Sequence, residues 1–476
     1  MNDPRRKLNK RESKFIILFV LSLIIAFSPS TPLGQVSALI FLIGMIFFVQ
    51  VRPAYHLQKY ILVFFLYSVI GFVYWLIYSA DFSFINYYLF FITSSSFLLL
   101  FFDFRSLITD NLLERLGQIT LIFIFVESLF GIYQALQIFL RTGKYGNSSG
   151  DLVWGTLAPW FNSSYAGRSP SFVLLITTLL LFSLATFRRR WTLGYLLAYS
   201  TVVLTWVVAS LMHSYLFFGL AALLALLTLA QFNVKKKVPS TKSARKKTIS
   251  YGGLVVLAAV VSLTILVPLI LPNNTAKINN ALKEAVNLNP DARFLKNRAL
   301  YSTLYSLPQD ALLQPLIGVG PGQYASRAAL MASGEYLTRP IPGLPGHISS
   351  YAASYILPNL HRIGSSLHLP SSSWIALYGE LGLLGLLAVI FVVVKAILFF
   401  RRYRSRQFRM LNLMLLILIY YLVFMGFQNV YWEYTQAIFP AVLSAKLCHD
   451  FLQNEFGLSR AVHFRVKPKT YHQPVG

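Results

Sequence analysis

Long apolar runs constrain this chain more than any other feature. A helix crosses a hydrocarbon core of roughly 30 Å with about 20 apolar residues, and without water it must satisfy its own backbone N–H and C=O groups. Twelve stretches approach that length: 15–29, 32–51, 59–79, 83–103, 116–140, 170–187, 193–211, 213–232, 251–272, 372–400, 410–429 and 431–450. They predict an all-α polytopic membrane protein of about 12 transmembrane helices. Hydrophobic residues make up 56% of the chain and charged ones 12%. Soluble domains carry about a quarter charged residues, so a water-soluble enzyme is excluded. The single cysteine, Cys448, excludes a disulfide scaffold. The first run follows basic residues, as in a signal peptide, but Ser28-Pro29-Ser30 supplies no small-x-small cleavage site, so it reads as a retained helix.

Charge orients the predicted spans. Lys and Arg outnumber Asp and Glu 42 to 16, a net +26. In a membrane chain such an excess marks cytoplasmic segments and anionic headgroups rather than nucleic acid. The basic segments are the N-terminus with Arg5, Arg6, Lys7, Lys10, Arg11 and Lys14; Arg188 to Arg190; Lys235 to Lys247; Arg401 to Arg409; and the tail after Phe451. All fall on one side if twelve helices alternate, with both termini and Asp110 to Arg115 cytoplasmic. The division expected is 1–272 for helices 1–9 with a shorter outer loop at 141–169, 273–371 for a long outer loop, 372–450 for helices 10–12, and 451–476 for a basic tail. The long loop carries Lys277, Lys283, Arg293, Lys296, Arg298, Arg327, Arg339 and Arg362 against Glu284, Asp291, Asp310 and Glu335, a balance of +4 that attracts anions. Residues 291–306 predict an amphipathic helix with Arg298, Tyr301 and Tyr305 near one face, and Pro340 to Gly346 an irregular segment.

Several chemistries are unsupported. Gly318-Val319-Gly320-Pro321-Gly322 lacks the lysine of a phosphate-binding P-loop, and no H-E-x-x-H, paired C-x-x-C or D-x-D occurs. Any catalysis is expected to need no metal and no cofactor.

Four outward-facing basic residues share one predicted membrane face: Arg168, His213, Arg298 and His368. An arginine fork binds two phosphate oxygens at once, although Arg168 and Arg298 serve equally as interfacial anchors. His368 titrates near neutrality and suits proton transfer from a hydroxyl, or it is a structural histidine; His347 and His361 compete with it in the same loop. For His213, between Ser210 and Ser214, a helix-end hydrogen bond is the simpler role. Glu127 is a mid-helix carboxylate, costly in a membrane and so a functional candidate or a paired one. Glu380 and Glu433 lie near outer helix ends, where they orient His368 or an arginine, or meet water. Trp154, Trp160, Tyr324 and Trp374 present rings for sugars, but interfacial aromatics are expected in any case.

In order and position, three segments resemble the bacterial O-antigen ligase/O-antigen polymerase superfamily. Residues 151–168, DLVWGTLAPWFNSSYAGR, are similar to its "G-T-F…N" segment. Residues 297–324, NRALYSTLYSLPQDALLQPLIGVGPGQY, are similar to its "R…P-L-x-G-V-G-x-G-x-[FY]" loop, and 371–387, SSSWIALYGELGLLGLL, to its "H-N-x-[YF]-L…E-x-G-x-x-G" helix start. The likeness covers most of the chain after residue 115. It departs at the histidine, whose position falls on Ser371 with His368 three residues earlier; either a shifted His368 serves or the chain works without it. Arg298 stands two residues further from Gly318 than usual, with Arg293 as an alternative, and the family's arginine after helix 7 is missing near Ser210 and His213.

The resemblance implies a GT-C-like bundle that transfers sugars from an undecaprenyl-diphosphate-linked donor to a saccharide acceptor, at the outer face of the bacterial cytoplasmic membrane. It implies His368 and Arg298 as catalytic residues. Arg168, Arg293, His213, Gly318, Gly320, Tyr324, Ser371, Trp374 and Glu380 would bind diphosphate or saccharide. Implied partners are membrane lipids, a chain-length regulator and a flippase. Polymerisation of repeat units is favoured over ligation of a finished chain to lipid A-core. A lipid-linked saccharide flippase or other transporter is the reading from another class: Glu127 supports it, while the missing internal repeat and single long outer loop oppose it.

Overall fold

The computed structural model describes residues 9–28, 34–143, 152–157, 168–186, 192–209, 212–230, 272–332, 347–358, 370, 372–402 and 409–465. Every regular element among them is helical. In chain order they are α1 (Lys10–Ala26), α2 (Ser37–Gly44, prolonged by a π turn to Val49), α3 (Pro53–Tyr78), α4 (Phe84–Thr93), α5 (Asp110–Thr142), α6 (Arg168–Thr186), α7 (Leu193–Ala209) and α8 (Met212–Ala230). There follow α9 (Pro272–Asn287), α10 (Leu295–Tyr301), α11 (Leu307–Asp310), α12 (Gln314–Ile317), α13 (Arg327–Ala332), α14 (Ser350–Tyr355), α15 (Ser373–Arg402), α16 (Arg409–Gln428) and α17 (Thr435–Arg465).

Local chemistry sets the ends. The Asn9 side chain accepts from Glu12 N at 2.8 Å while the Glu12 carboxylate accepts from Asn9 N at 2.9 Å, a reciprocal cap that starts α1. Thr109 caps α5 through Leu112 N at 3.2 Å, and Gly143 closes it in the left-handed region. Pro53 occupies the first turn of α3, where its missing N–H costs nothing.

Each predicted apolar stretch coincides with helix except 251–272, which lies outside the described residues up to Pro272. Among the described residues, four helices are long and apolar enough to cross a membrane: Pro53–Asp81, Asp110–Thr142, Ser373–Phe400 and Leu411–Gln428. A fifth is reached if Phe84–Thr93 and Ser95–Phe101 are joined across a 59° bend. That bend falls between Thr93 and Ser95, at the run Ser94-Ser95-Ser96. The helix expected over 291–306 begins only at Leu295 and passes into a π turn at Ser302; Tyr301 and Tyr305 stack with centroids 5.1 Å apart. Pro340 to Gly346 lie outside the described residues.

The burial pattern is that of a bundle meeting lipid. On α3, Ile61, Phe65 and Leu76 are about 60% exposed, as is Phe391 on α15. Apolar faces of this extent are untenable in water. By contrast α6 is packed on all sides, with Phe172, Leu174, Leu175 and Leu179 inaccessible, against α5, α7, α16 and α17.

Many of the polar contacts between distant elements lie toward one end of the helices or the other. At one end the Lys14 ammonium donates to Phe48 O, Thr109 Oγ1 to Glu12, and Arg52 meets Asp103 at 3.4 Å. There the buried Asp450 carboxylate accepts from Phe104 N at 2.8 Å and pairs with Lys446 at 2.5 Å. At the other, Gln436 donates to Ser28 O, Ser373 Oγ to Asn429 O, and Ser83 N to Gln323.

Candidate functional site

The second end holds a densely hydrogen-bonded glycine loop. The chain leaves α12 at Gly318, with φ +77°, and runs buried through Ser326. It lies against a break in α15, where Gly382 adopts φ +61°. The break leaves carbonyls without intrahelical partners, and the loop supplies them: Val319 N donates to Gly379 O and Gly320 N to Glu380 O, both at 3.0 Å. The Glu380 carboxylate then accepts three backbone amides of the same loop, Gly322 at 2.6 Å, Tyr324 at 2.9 Å and Ser326 at 2.8 Å. From the opposite side Tyr78 donates to Gly318 O at 2.7 Å and Tyr74 to Ile317 O. The Gln323 carboxamide both accepts from Ser83 N and donates to Ser83 O at 3.0 Å. The segment from His347 docks on this loop: Asn86 Nδ2 donates to His347 O at 3.2 Å, and Ser349 Oγ to Gln323 O.

A second clasp forms on α5. Glu127 and Gln134 are two turns apart on one helix face. The Glu127 carboxylate accepts from Thr156 N at 3.0 Å and Thr156 Oγ1 at 2.8 Å. The Gln134 carbonyl accepts from Trp154 N at 2.8 Å and Gly155 N at 2.9 Å, while its amide donates to Gly155 O. The costly mid-helix carboxylate thus holds residues 154–156 in place. Both Glu127 oxygens are engaged with protein, which withdraws the support this residue lent to a transporter.

Of the candidates raised by the sequence, Gly318, Gly320, Tyr324 and Glu380 come together, all buried. The Tyr324 hydroxyl meets Thr303 Oγ1 at 3.0 Å. These residues bond mainly to one another, so the structure gives them a positioning place at this end of the bundle. Trp374 stacks on Phe427 at 5.2 Å, meets Trp432 edge-on at 4.8 Å and donates to Val423 O. Arg293 is exposed; Arg298 is half-buried, with Nε donating to Ala292 O at 2.5 Å. His361, His368, Ser371, Ser210 and Trp160 lie outside the described residues, as do the side chains of Arg168 and His213. Trp154 is buried, away from any sugar at the surface. Among the described residues no group of three His, Cys, Asp or Glu could hold a metal ion.

Two residues acquire significance only in three dimensions. Lys296 reaches from α10 to the carbonyls of Phe427 and Gln428 at the end of α16, tying the long loop to the bundle. Burial pushes its ammonium down to about 7. A folded-state value below the free-lysine value of about 10.4 means fewer protons bound when folded, so stability rises as pH climbs between those limits. Thermal midpoints measured at about pH 6 and about pH 9 should therefore increase for the native chain, and Lys296→Met should flatten the difference. An unchanged slope in the variant would discard this assignment. The other residue is Arg327, just past the glycine loop and only 2% exposed, its guanidinium 3.5 Å from the Tyr434 ring centre. The sequence counted it merely as one loop charge, because nothing local distinguishes a buried arginine from a solvated one.

Comparison with known protein families finds no matching family model, and comparison with curated proteins finds no match.

Proposed function

We propose that this chain is a metal-independent membrane glycosyltransferase of the O-antigen polymerase/ligase kind, acting on undecaprenyl-diphosphate-linked saccharides. One observation carries the reading: the glycine loop and the E-x-G helix start, the two segments with the most motif-like resemblance, meet in one unit through Glu380, across 58 residues of sequence. The proposed frame is about 12 spans in a GT-C-like arrangement, with both termini cytoplasmic and the long loop outside.

In this reading a saccharide hydroxyl attacks the anomeric carbon of the donor sugar, its proton passes to His368, and the bond to the lipid diphosphate breaks with the electron pair going to the departing phosphate oxygen. Arg298, with Arg168 or Arg293, stabilises the charge that develops there. Glu380 and the glycine loop position the segments around them. Polymerisation remains preferred over ligation; when the basic loop residues are substituted, loss of the ladder identifies the first, and full ladders left on carrier lipid identify the second.

The test uses the purified full chain in liposomes with a lipid-linked repeat unit. Donor consumption with release of lipid diphosphate is expected, and Arg298→Ala should slow it about 10²–10³-fold, the usual loss when one charge-stabilising donor is removed. Translocation without consumption would replace the enzyme with a transporter.

A further inference from the structure

A guanidinium stays ionised under all ordinary conditions, and burying it without a partner is among the most unfavourable things a fold can do. Arg327 comes close to that position, for the Glu433 carboxylate acts on its charge through space but forms no salt bridge with the guanidinium. Its Nε and Nη1 are buried with no hydrogen-bond partner, which leaves three N–H donors unused. No carboxylate oxygen among the described residues pairs with it within 4.0 Å, although two acidic side chains belong to the same neighbourhood. Glu380 directs its oxygens to Gly322, Tyr324 and Ser326, and Glu433 accepts from Ala328 N at 3.4 Å. The fold thus has carboxylates at hand and assigns them to backbone amides. The Tyr434 ring covers one face of the guanidinium at 3.5 Å and leaves its edges as the donating directions.

We propose that Arg327 is the inner half of a binding site for a phosphate-class oxyanion at the outer end of the bundle. Several donors on one planar cation suit the spread oxygens of a phosphate or diphosphate, and exclusion of water strengthens each charge-assisted bond. The α17 side contributes Tyr434, and the glycine loop, fixed by Glu380, sets where the arginine begins. The assignment of the oxyanion to a lipid-linked diphosphate rests on the function proposed above; the unpartnered guanidinium stands without it. This arginine lies outside the segments that carry the family resemblance.

The experiment uses the full chain in phosphatidylcholine nanodiscs, titrated with inorganic pyrophosphate and separately with farnesyl diphosphate, and repeated in discs containing phosphatidylglycerol. Binding and thermal midpoint are read for the native chain, Arg327→Met and Arg327→Lys. Native binding of a diphosphate probe, weakened at least about tenfold in Arg327→Met and partly restored in Arg327→Lys, supports the site. Farnesyl diphosphate binding more tightly than pyrophosphate identifies a lipid-linked source, equal binding identifies a free anion, and loss of both in phosphatidylglycerol discs identifies a headgroup. Should Arg327→Met fail to fold, the native-to-lysine difference decides. Equal affinity in all folded forms, or no binding to the native chain in any disc, overturns the proposal. Sugar transfer at the native rate by Arg327→Met, with diphosphate binding also unchanged, overturns it while leaving the glycosyltransferase standing. Arginine-dependent binding without donor consumption does the reverse.

Discussion

Glu380→Ala is expected to lower the thermal midpoint of the detergent-solubilised protein more than any other single carboxylate substitution. Removing the side chain strands the amides of Gly322, Tyr324 and Ser326 in the interior. Each buried amide without an acceptor costs about 1–3 kcal/mol, so the loss is at least about 3 kcal/mol. Domains are commonly stable by only about 5–15 kcal/mol, and a defect of that size shows as poor recovery of folded protein. Glu380→Gln separates acceptor from charge. One oxygen, Oε1, serves both Tyr324 and Ser326, and glutamine retains it; Oε2 serves Gly322, where an NH2 group would face another donor. The expected order is native, then Gln, then Ala, read by thermal unfolding monitored on size-exclusion chromatography. Equal midpoints for native and alanine forms would show that the loop is not held by this carboxylate.

Gly318→Ala should be nearly as damaging, for a steric reason that a paired control isolates. A Cβ at Gly318 would stand 2.1 Å from the Glu380 carbonyl carbon and 2.2 Å from its oxygen, with φ at +77°. Neither partner is a flexible side-chain end, so the loop must lift off α15 and lose the amide bonds behind it. Gly143 shares the left-handed conformation, φ +64°, but a Cβ there meets nothing within 4 Å. Gly143→Ala should cost only the conformational term of about 1–2 kcal/mol. The difference between the two variants therefore measures the close approach of loop to helix. Similar midpoints for both would mean that conformation alone, and not contact with Glu380, makes glycine necessary at 318.

The two clasps show how far sequence reading reaches. Glu127 was conspicuous because a carboxylate amid LIFIFVESLFGIY is costly wherever that helix lies in lipid, a one-dimensional argument. Its answer, Thr156, stands 29 residues away across a connection with no periodic pattern to guide the pairing. Glu380 reads as a carboxylate near a helix end, where orienting His368 or an arginine, or meeting water, is its expected task. Three backbone amides 54 to 58 residues upstream occupy it instead. Backbone N–H groups are identical at every non-proline position, so no residue code announces which of them a buried acceptor will find.

Sequence alone determined the helical class, the apolar stretches and the basic ends, because these follow from hydrophobicity and charge summed over neighbouring residues, which water and lipid sort without regard to partners. The tertiary structure decided which polar groups inside the bundle are satisfied: that Glu127 and Glu380 hold loops, that Lys296 closes a helix end, and that Arg327 is enclosed with donors unused. Satisfaction of a buried polar group depends on atoms brought within about 3 Å from distant parts of the chain, and only a packed fold contains that information.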